Sequence, residues 1–239
     1  VTDQLFGLDD GELSFQELEL LNETLNDSVL LREYTREFDH YLPSFPARML
    51  GGLLVTVGNL VYGKRPSYAK FRAIEVIARV PYQSWTSAAY TLLTFAYTNE
   101  RRALALGQVT RFARLAHDNE TMHVVVISGL ARKHAKTGFI RHTLIPILFA
   151  FFYFWASYIL YLIHPRYSYE LNFIFENHSF AQYDEFLLRN REQLQSRSIS
   201  SDFLTWYGRN PRSEYEFFTS VRNDEIIHRN TSIKKIYTL

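Results

Sequence analysis

A run of 21 residues without a charged side chain, Thr143 to Ile163, limits what this chain can become more than any other feature. At 1.5 Å per helical residue it reaches about 30 Å, the thickness of a hydrocarbon core. Taken alone it predicts a transmembrane helix. Arg141, His142, His164 and Arg166 bracket it on both sides, so the positive-inside rule assigns no orientation. A second stretch, Ala47 to Tyr62, is uncharged apart from Arg48 and stops at Gly63-Lys64-Arg65-Pro66, which reads as another apolar helix. The 19 Phe, 16 Tyr and 3 Trp suit a chain that meets lipid, because amphipathic rings favour the membrane interface.

Composition removes most other classes. With 239 residues and 47% hydrophobic content the chain can bury one sizeable core and is not a disordered segment. A formal charge of +1 offers no basic excess for phosphates, so no nucleic-acid partner is expected. Without cysteine, disulfides, thiol catalysis, thiolate zinc and cysteine-ligated iron–sulfur clusters are all excluded. Any metal must be held by His, Asp or Glu. Ten Gly and seven Pro leave few turns, and the expected fold class is all-α.

Residues 1–42 read as a peripheral N-terminal arm, acidic at Asp9, Asp10, Glu12, Glu17 and Glu19, with a loose helical pattern from Leu13 to His40. Val1 to Asp10 lacks the basic and apolar regions of a signal peptide. Pro43 and Pro46 mark a boundary, and residues 43–239 form the main domain. Its further helices run over about Tyr68–Thr98, with a kink expected at Pro81, then Glu100–Lys136, Tyr167–Gln195 and Glu214–Lys234. The last two are separated by the Ser-rich linker Ser196–Ser201 and an Asn210-Pro211 turn.

Glu-x-x-His places both side chains on one helical face, a turn apart, where they can share a metal. It occurs at Glu120/His123 and Glu225/His228. Chance alone supplies about half an occurrence in a chain of this composition, and a third copy at Glu37/His40 sits in a polar segment ended by Pro43. Context lifts the first two. Two other helices each carry one glutamate within an apolar face, Glu75 in Ala73-Ile74-Glu75-Val76-Ile77 and Glu176 in Phe173-Ile174-Phe175-Glu176. One glutamate from each of two helices plus Glu-x-x-His from each of two others is the donor set of a carboxylate-bridged di-iron or di-manganese site in a ferritin-like four-helix bundle. The competing reading makes Glu75 a partly buried acid paired with Arg72 or Arg79.

Tyr183 lies seven residues after Glu176, two helical turns on, and so would stand beside the same site, the competing reading being a core tyrosine in a chain with sixteen. Asp224 precedes Glu225 and could hydrogen-bond a ligand imidazole, while its position alone equally allows a solvated acid on the helix face. If Thr143–Ile163 crossed the bilayer once, the helices of Glu120 and Glu176 would emerge on opposite faces, yet both must reach one site. An in-plane helix resolves this, serving as the bundle's long crossover and burying its apolar side in one leaflet. Ala47–Tyr62 can lie beside it, and the pair would form an apolar platform for membrane lipid and for a homodimer contact; the competing reading makes Thr143–Ile163 a buried core helix.

Four segments then resemble one family. Tyr68 to Tyr82 is similar to the first-ligand helix of the alternative oxidases, and Asp118-Asn119-Glu120-Thr121-Met122-His123 to their Asn-Glu-x-Met-His motif. Glu176-Asn177-His178-Ser179-Phe180-Ala181-Gln182-Tyr183-Asp184 and Arg222-Asn223-Asp224-Glu225-Ile226-Ile227-His228 resemble the other two, with the plastid terminal oxidase branch the nearer likeness. The resemblance implies a monotopic, non-haem di-iron quinol oxidase that reduces O₂ to water without pumping protons. It implies that Glu75, Glu120, His123, Glu176, Glu225 and His228 bind two Fe ions, that Tyr183 is redox-active, and that Asp224 supports the ligands. Lys70, Ile74, Phe175, His178 and Gln182 fall at the implied quinol site, where Lys70, Ile74 and Gln182 replace the family's usual arginine, leucine and threonine. The implied location is a bacterial inner membrane, on its cytoplasmic face, or a thylakoid or other organelle inner membrane. Two other functions use the same donor set: a di-iron hydroxylase or desaturase acting on a lipid-like substrate, and an iron-storing bundle.

Overall fold

The computed structural model describes Ser14 to Thr238; the acids Asp9, Asp10 and Glu12 and the start Val1–Asp10 lie outside the described residues. Among the described residues the chain is all-helical, with one isolated bridge between Ser198 and Ser213. The arm forms two helices, α1 (Phe15–Thr24) and α2 (Ser28–Arg36). Ser14 and Glu17 close a capping box on α1, and Asp27 accepts from the Val29 and Leu30 amides at 2.7 and 3.2 Å. A side chain that satisfies the free amides of a first turn starts a new helix, which is why the loose pattern divides there.

Helix α3 (Phe45–Tyr62) carries Pro46 in its first turn. Helices α4 (Tyr68–Ala78) and α5 (Val80–Ala96) are separated at Arg79, two residues ahead of Pro81. The expected interruption is present, but Pro81 sits in the first turn of α5, where a missing N–H is harmless. Then come α6 (Glu100–His134), a π-helical turn at Ile140–Leu144, α7 (Ile145–Ile163), α8 (Pro165–Ser196), a short α9 (Asp202–Tyr207) and α10 (Glu214–Tyr237).

Cross-helix contacts fix the directions. Tyr68 meets His134 and Glu75 meets His123, so α4 and α6 are antiparallel. Tyr183 reaches Glu75 while Tyr82 reaches Glu176, so α8 also opposes α4–α5. Asn172 pairs with Ser232 and Asp184 with Arg222, making α10 antiparallel to α8. Helices α6 and α8 therefore run the same way, and α7 is the crossover that returns the chain from the end of one to the start of the other. This is the bundle connectivity with one long crossover.

Helix α7 is fastened to the bundle by a narrow stripe. Ser157 shares hydrogen bonds with Ser84 at 2.7 Å and Ser168 at 2.9 Å, and Tyr153 and Tyr161 are buried on the same side. Only 17% of its most apolar window is buried, so Phe151, Phe152, Trp155 and Ile159 stand outward. Helix α3 likewise exposes Met49, Leu53 and Leu60.

Helix α10 is the opposite case, buried on nearly every side from Val221 to Ile233. Its back is covered by α1 and α2, whose Leu21, Leu25 and Tyr34 pack on Ile226 and Ile227. Burying each such leucine contributes about 1.5–3 kcal/mol, and the polar positions between them are matched individually. Asn223 donates to the Asn22 carbonyl at 2.9 Å, and Asn230 to the Tyr34 carbonyl at 2.7 Å.

Candidate metal centre

Two apolar layers enclose a polar one. Phe71, Met122, Val126, Tyr183, Phe186 and Phe218 pack on one side, and Tyr82, Trp85, Phe112, Ala116 and Tyr169 on the other. On each bundle helix the six candidate ligands lie between these layers, at the helical spacing that keeps them on the inner face. Glu75, Glu120, His123 and Glu225 place donor atoms within 4.8 Å of one another, and Glu120, Glu176 and His228 do the same, so Glu120 is common to both groups. His123 Nδ1 stands 3.4 Å from Glu75, 3.5 Å from Glu120 and 3.6 Å from Glu225, while His228 Nδ1 is 2.9 Å from Glu120.

The donors converge without satisfying each other. Glu75 Oε2, both oxygens of Glu120 and of Glu225, Glu176 Oε2, His123 Nδ1 and His228 Nδ1 are buried with no hydrogen-bond partner of proper geometry. Orphaned buried polar atoms are costly, at about 1–3 kcal/mol each, and here they face one common space. Charge tells the same story. Burial pushes Glu225 well above the usual carboxylate range, with Glu120, Glu176 and Glu75 adding to it. Burial, aided by the Glu120 charge and opposed by His123, lifts Glu75 to about 7, and burial followed by Glu120 raises Glu176. Glu120 resists its own burial because both histidines hold it at about 2. The two imidazoles neutralise too little, whereas two divalent cations would balance four carboxylates. Their oxygen and imidazole donors suit hard-to-borderline ions such as iron or manganese.

Flanking groups orient the donors. His123 Nε2 is 2.9 Å from Asp224 Oδ2, which fixes that ring with Nδ1 toward the cluster. Burial opposes ionisation of Asp224, but Arg209 and His123 hold it well below the usual range. Tyr183 is fully buried, stacked on Phe71 at 4.1 Å, and donates to Glu75. Tyr82 donates to Glu176 at 2.7 Å and accepts from Asn172 at 3.1 Å. Arg72 bonds Thr137 and Thr143 at 2.7 and 3.1 Å, so Glu75 is not that arginine's partner.

An apolar cleft with about 870 Å³ of empty space, part of it open to the outside, lies between α3, α4, α7 and α8. Lys70, Ile74, Phe175 and His178 line it, and so does Glu176 of the cluster. Gln182 stands behind Lys70 and accepts from its Nζ at 2.6 Å. The buried ammonium has only neutral acceptors besides, Asn59 at 2.9 Å and the Lys64 carbonyl at 3.2 Å, and burial lowers its pKa. Glu37 and His40, the third Glu-x-x-His, are exposed at the end of α2 and join neither group.

Several residues at the centre were not singled out from sequence. Tyr82 lies inside a quoted motif, but Asn172, Arg209, Glu19 and Asn22 carry no motif, and Arg209 meets Glu19 across 190 positions of chain.

Fold and donor set together define a helical-bundle protein with a buried carboxylate–histidine cluster that could hold a metal. Residues 48–235 match the alternative oxidase family, and the chain belongs to it. It is 25% identical over 198 residues to ubiquinol oxidase 4, chloroplastic/chromoplastic, of Arabidopsis thaliana, an alignment covering 74% of this chain and 53% of that protein. The chain thus spans about half the length of the curated relative it matches. No solved structure matches it.

Proposed function

We infer that this protein is a membrane-bound quinol:oxygen oxidoreductase, with residues 43–239 as the catalytic unit and 1–42 as an arm. The observation that carries the reading is Glu176, which belongs at once to the carboxylate–histidine cluster and to the wall of the apolar cleft. A lipid-soluble quinol seated there stands beside the cluster without passing through water. Glu75, Glu120, His123, Glu176, Glu225 and His228 would hold two irons, which when bound carry electrons from quinol to O₂. Two quinols provide four electrons and four protons, and one O₂ takes them up as two waters, so no outside reductant is needed.

The remaining work belongs to side chains. Lys70, with Gln182 and His178 near it, meets the quinol head group, while Ile74 and Phe175 exclude water. Tyr82 and Glu176 share a hydrogen-bonded proton at the cleft wall. Tyr183, with its phenol on Glu75, is the redox partner that gives an electron and a proton together. Membrane attachment is through one leaflet. The outward faces of α3 and α7 support this, and residues 41–169 carry four acids, Glu75, Glu100, Asp118 and Glu120, against fifteen Lys and Arg. An in-plane protein offers no route across the bilayer, which makes the reaction non-pumping. A bacterial inner membrane or an organelle inner membrane meets these requirements equally.

Oxygen uptake by the iron-loaded protein with ubiquinol and plastoquinol analogues, in cyanide to silence haem oxidases, tests the reading. One O₂ consumed per two quinols supports it. Oxygenated or desaturated product would instead establish the hydroxylase or desaturase reading.

A further inference from the structure

The Asp224 carboxylate is held from three directions. Its Oδ2 accepts from His123 Nε2 at 2.9 Å, Asn119 at 3.1 Å and Arg209 Nη1 at 2.6 Å, and its Oδ1 from Asn22 at 2.5 Å and Arg209 Nη2 at 3.2 Å. These donors come from α6, from the turn after α9 and from α1. The guanidinium is buried and bridges onward: its Nε and Nη2 donate to Glu19 at 2.9 and 2.5 Å. Gly208 makes this bridge possible. At φ +96° it ends α9 in the left-handed region, where the Arg209 amide bonds the Leu204 carbonyl at 3.0 Å and the side chain turns inward. Tyr207 on the same turn accepts from Asn119 at 2.9 Å and packs edge-on against Phe15 of α1.

An unbroken series of charge-assisted contacts therefore runs from Glu19 through Arg209 and Asp224 to the back nitrogen of His123. We propose that Glu19 and Arg209 are positioning residues for the metal centre, through which docking of the N-terminal helix α1 and binding of metal by the cluster support each other. The proposal rests on the reading of the cluster as a metal site. A bidentate arginine fixes a carboxylate plane in a way a point charge does not. With Arg209 replaced, Asp224 keeps only single hydrogen bonds, and the His123 ring loses the rigid partner that aims Nδ1 at the cluster. Linkage makes the effect reciprocal: whatever factor docked α1 adds to metal affinity, metal adds to docking of α1.

The test uses Mn²⁺, titrated into the chelator-stripped 239-residue chain and followed by loss of the free-ion electron paramagnetic resonance signal. Hydrogen exchange of the amides over residues 15–24 is measured with and without the ion. Arg209→Met is expected to weaken Mn²⁺ binding about 10–100-fold, the usual range for groups that orient metal ligands, with Arg209→Lys restoring part of it. In the wild type Mn²⁺ should slow exchange in α1, and in Arg209→Met this gain should vanish. Asp39→Asn, which loosens α2 at Arg229 instead, should leave affinity within about twofold while lowering stability like any structural change. Should Arg209→Met not fold, Glu19→Gln, whose side chain is 22% exposed, serves in its place with an expected loss of about tenfold. Folded variants that bind Mn²⁺ like the wild type overturn the clamp alone. A wild type that binds neither Mn²⁺ nor Fe²⁺ overturns the metal reading and the clamp with it.

Discussion

The carboxylate–histidine cluster has two unlike flanks. On the cleft side the walls are mostly apolar, Ile74, Ile77, Phe149 and Phe175 among them, and the charged or titratable groups that interrupt them include Glu176, Lys70 and His178. On the arm side Asp224 receives five hydrogen bonds, and a buried ion pair ties it to a helix about 200 residues earlier. One flank is apolar and roomy, as a site that admits and releases a lipid-like molecule must be. The other is over-determined, as a scaffold that resists collapse of four carboxylates must be. The two Glu-x-x-His motifs differ in their support: the His123 ring is anchored by Asp224, whereas His228 lies against Tyr82 at 5.2 Å and borders a small void beneath α1.

The comparison breaks most completely if ligands of the cluster are removed. Glu176→Ala or His228→Ala should take the protein from about two irons per chain to none and abolish activity, since each group of donors is completed by its neighbour. Metal analysis decides, and Glu37→Ala, at the exposed third motif, should retain full occupancy. Tyr183→Phe comes next. Loss of a core hydroxyl alone costs about 1–3 kcal/mol of stability and leaves turnover near wild type. A redox role predicts instead that iron and fold persist while quinol oxidation falls at least about a hundredfold, or about 2.7 kcal/mol.

The outward apolar face of α7 is tested by Phe151→Glu with Trp155→Glu, which should lower binding to liposomes on the order of fiftyfold in a flotation assay, because two charges oppose entry of that face into lipid. Retained binding would place the attachment elsewhere. A smaller effect is expected at Gly58, which borders the cleft and where an added methyl group would meet nothing within 4 Å. Gly58→Phe should raise quinol KM about tenfold with metal content unchanged, the reverse of the Arg209 variants. Smallest is a pH effect on stripped protein. Glu75 is raised to about 7 from an unfolded 4.5, so the folded state holds more protons between those values and stability falls as pH rises. His123 and His228, raised by Glu120 against their burial, act in the same sense. The melting temperature should drop by several degrees from about pH 5 to pH 7, and Mn²⁺ should flatten the slope.

The amino-acid order alone pointed to the helical class, the crossover and the candidate donor set. Those features are local: a 21-residue uncharged run, i and i+3 spacing, and single acids in apolar faces report themselves within a turn or two of chain. Helical register pointed to Tyr183 and adjacency to Glu225 pointed to Asp224, and in the fold these side chains bond Glu75 and His123. Only the tertiary structure decided that the arm is laid along α10 and that Arg209 reaches Asp224. The six-residue helix α9 is too short to carry a periodic signal, and Arg209 follows it in a turn whose partners lie 15 and 190 positions away. Contacts of that kind leave no pattern in the chain, because their geometry exists only once α1, α6 and α10 have packed.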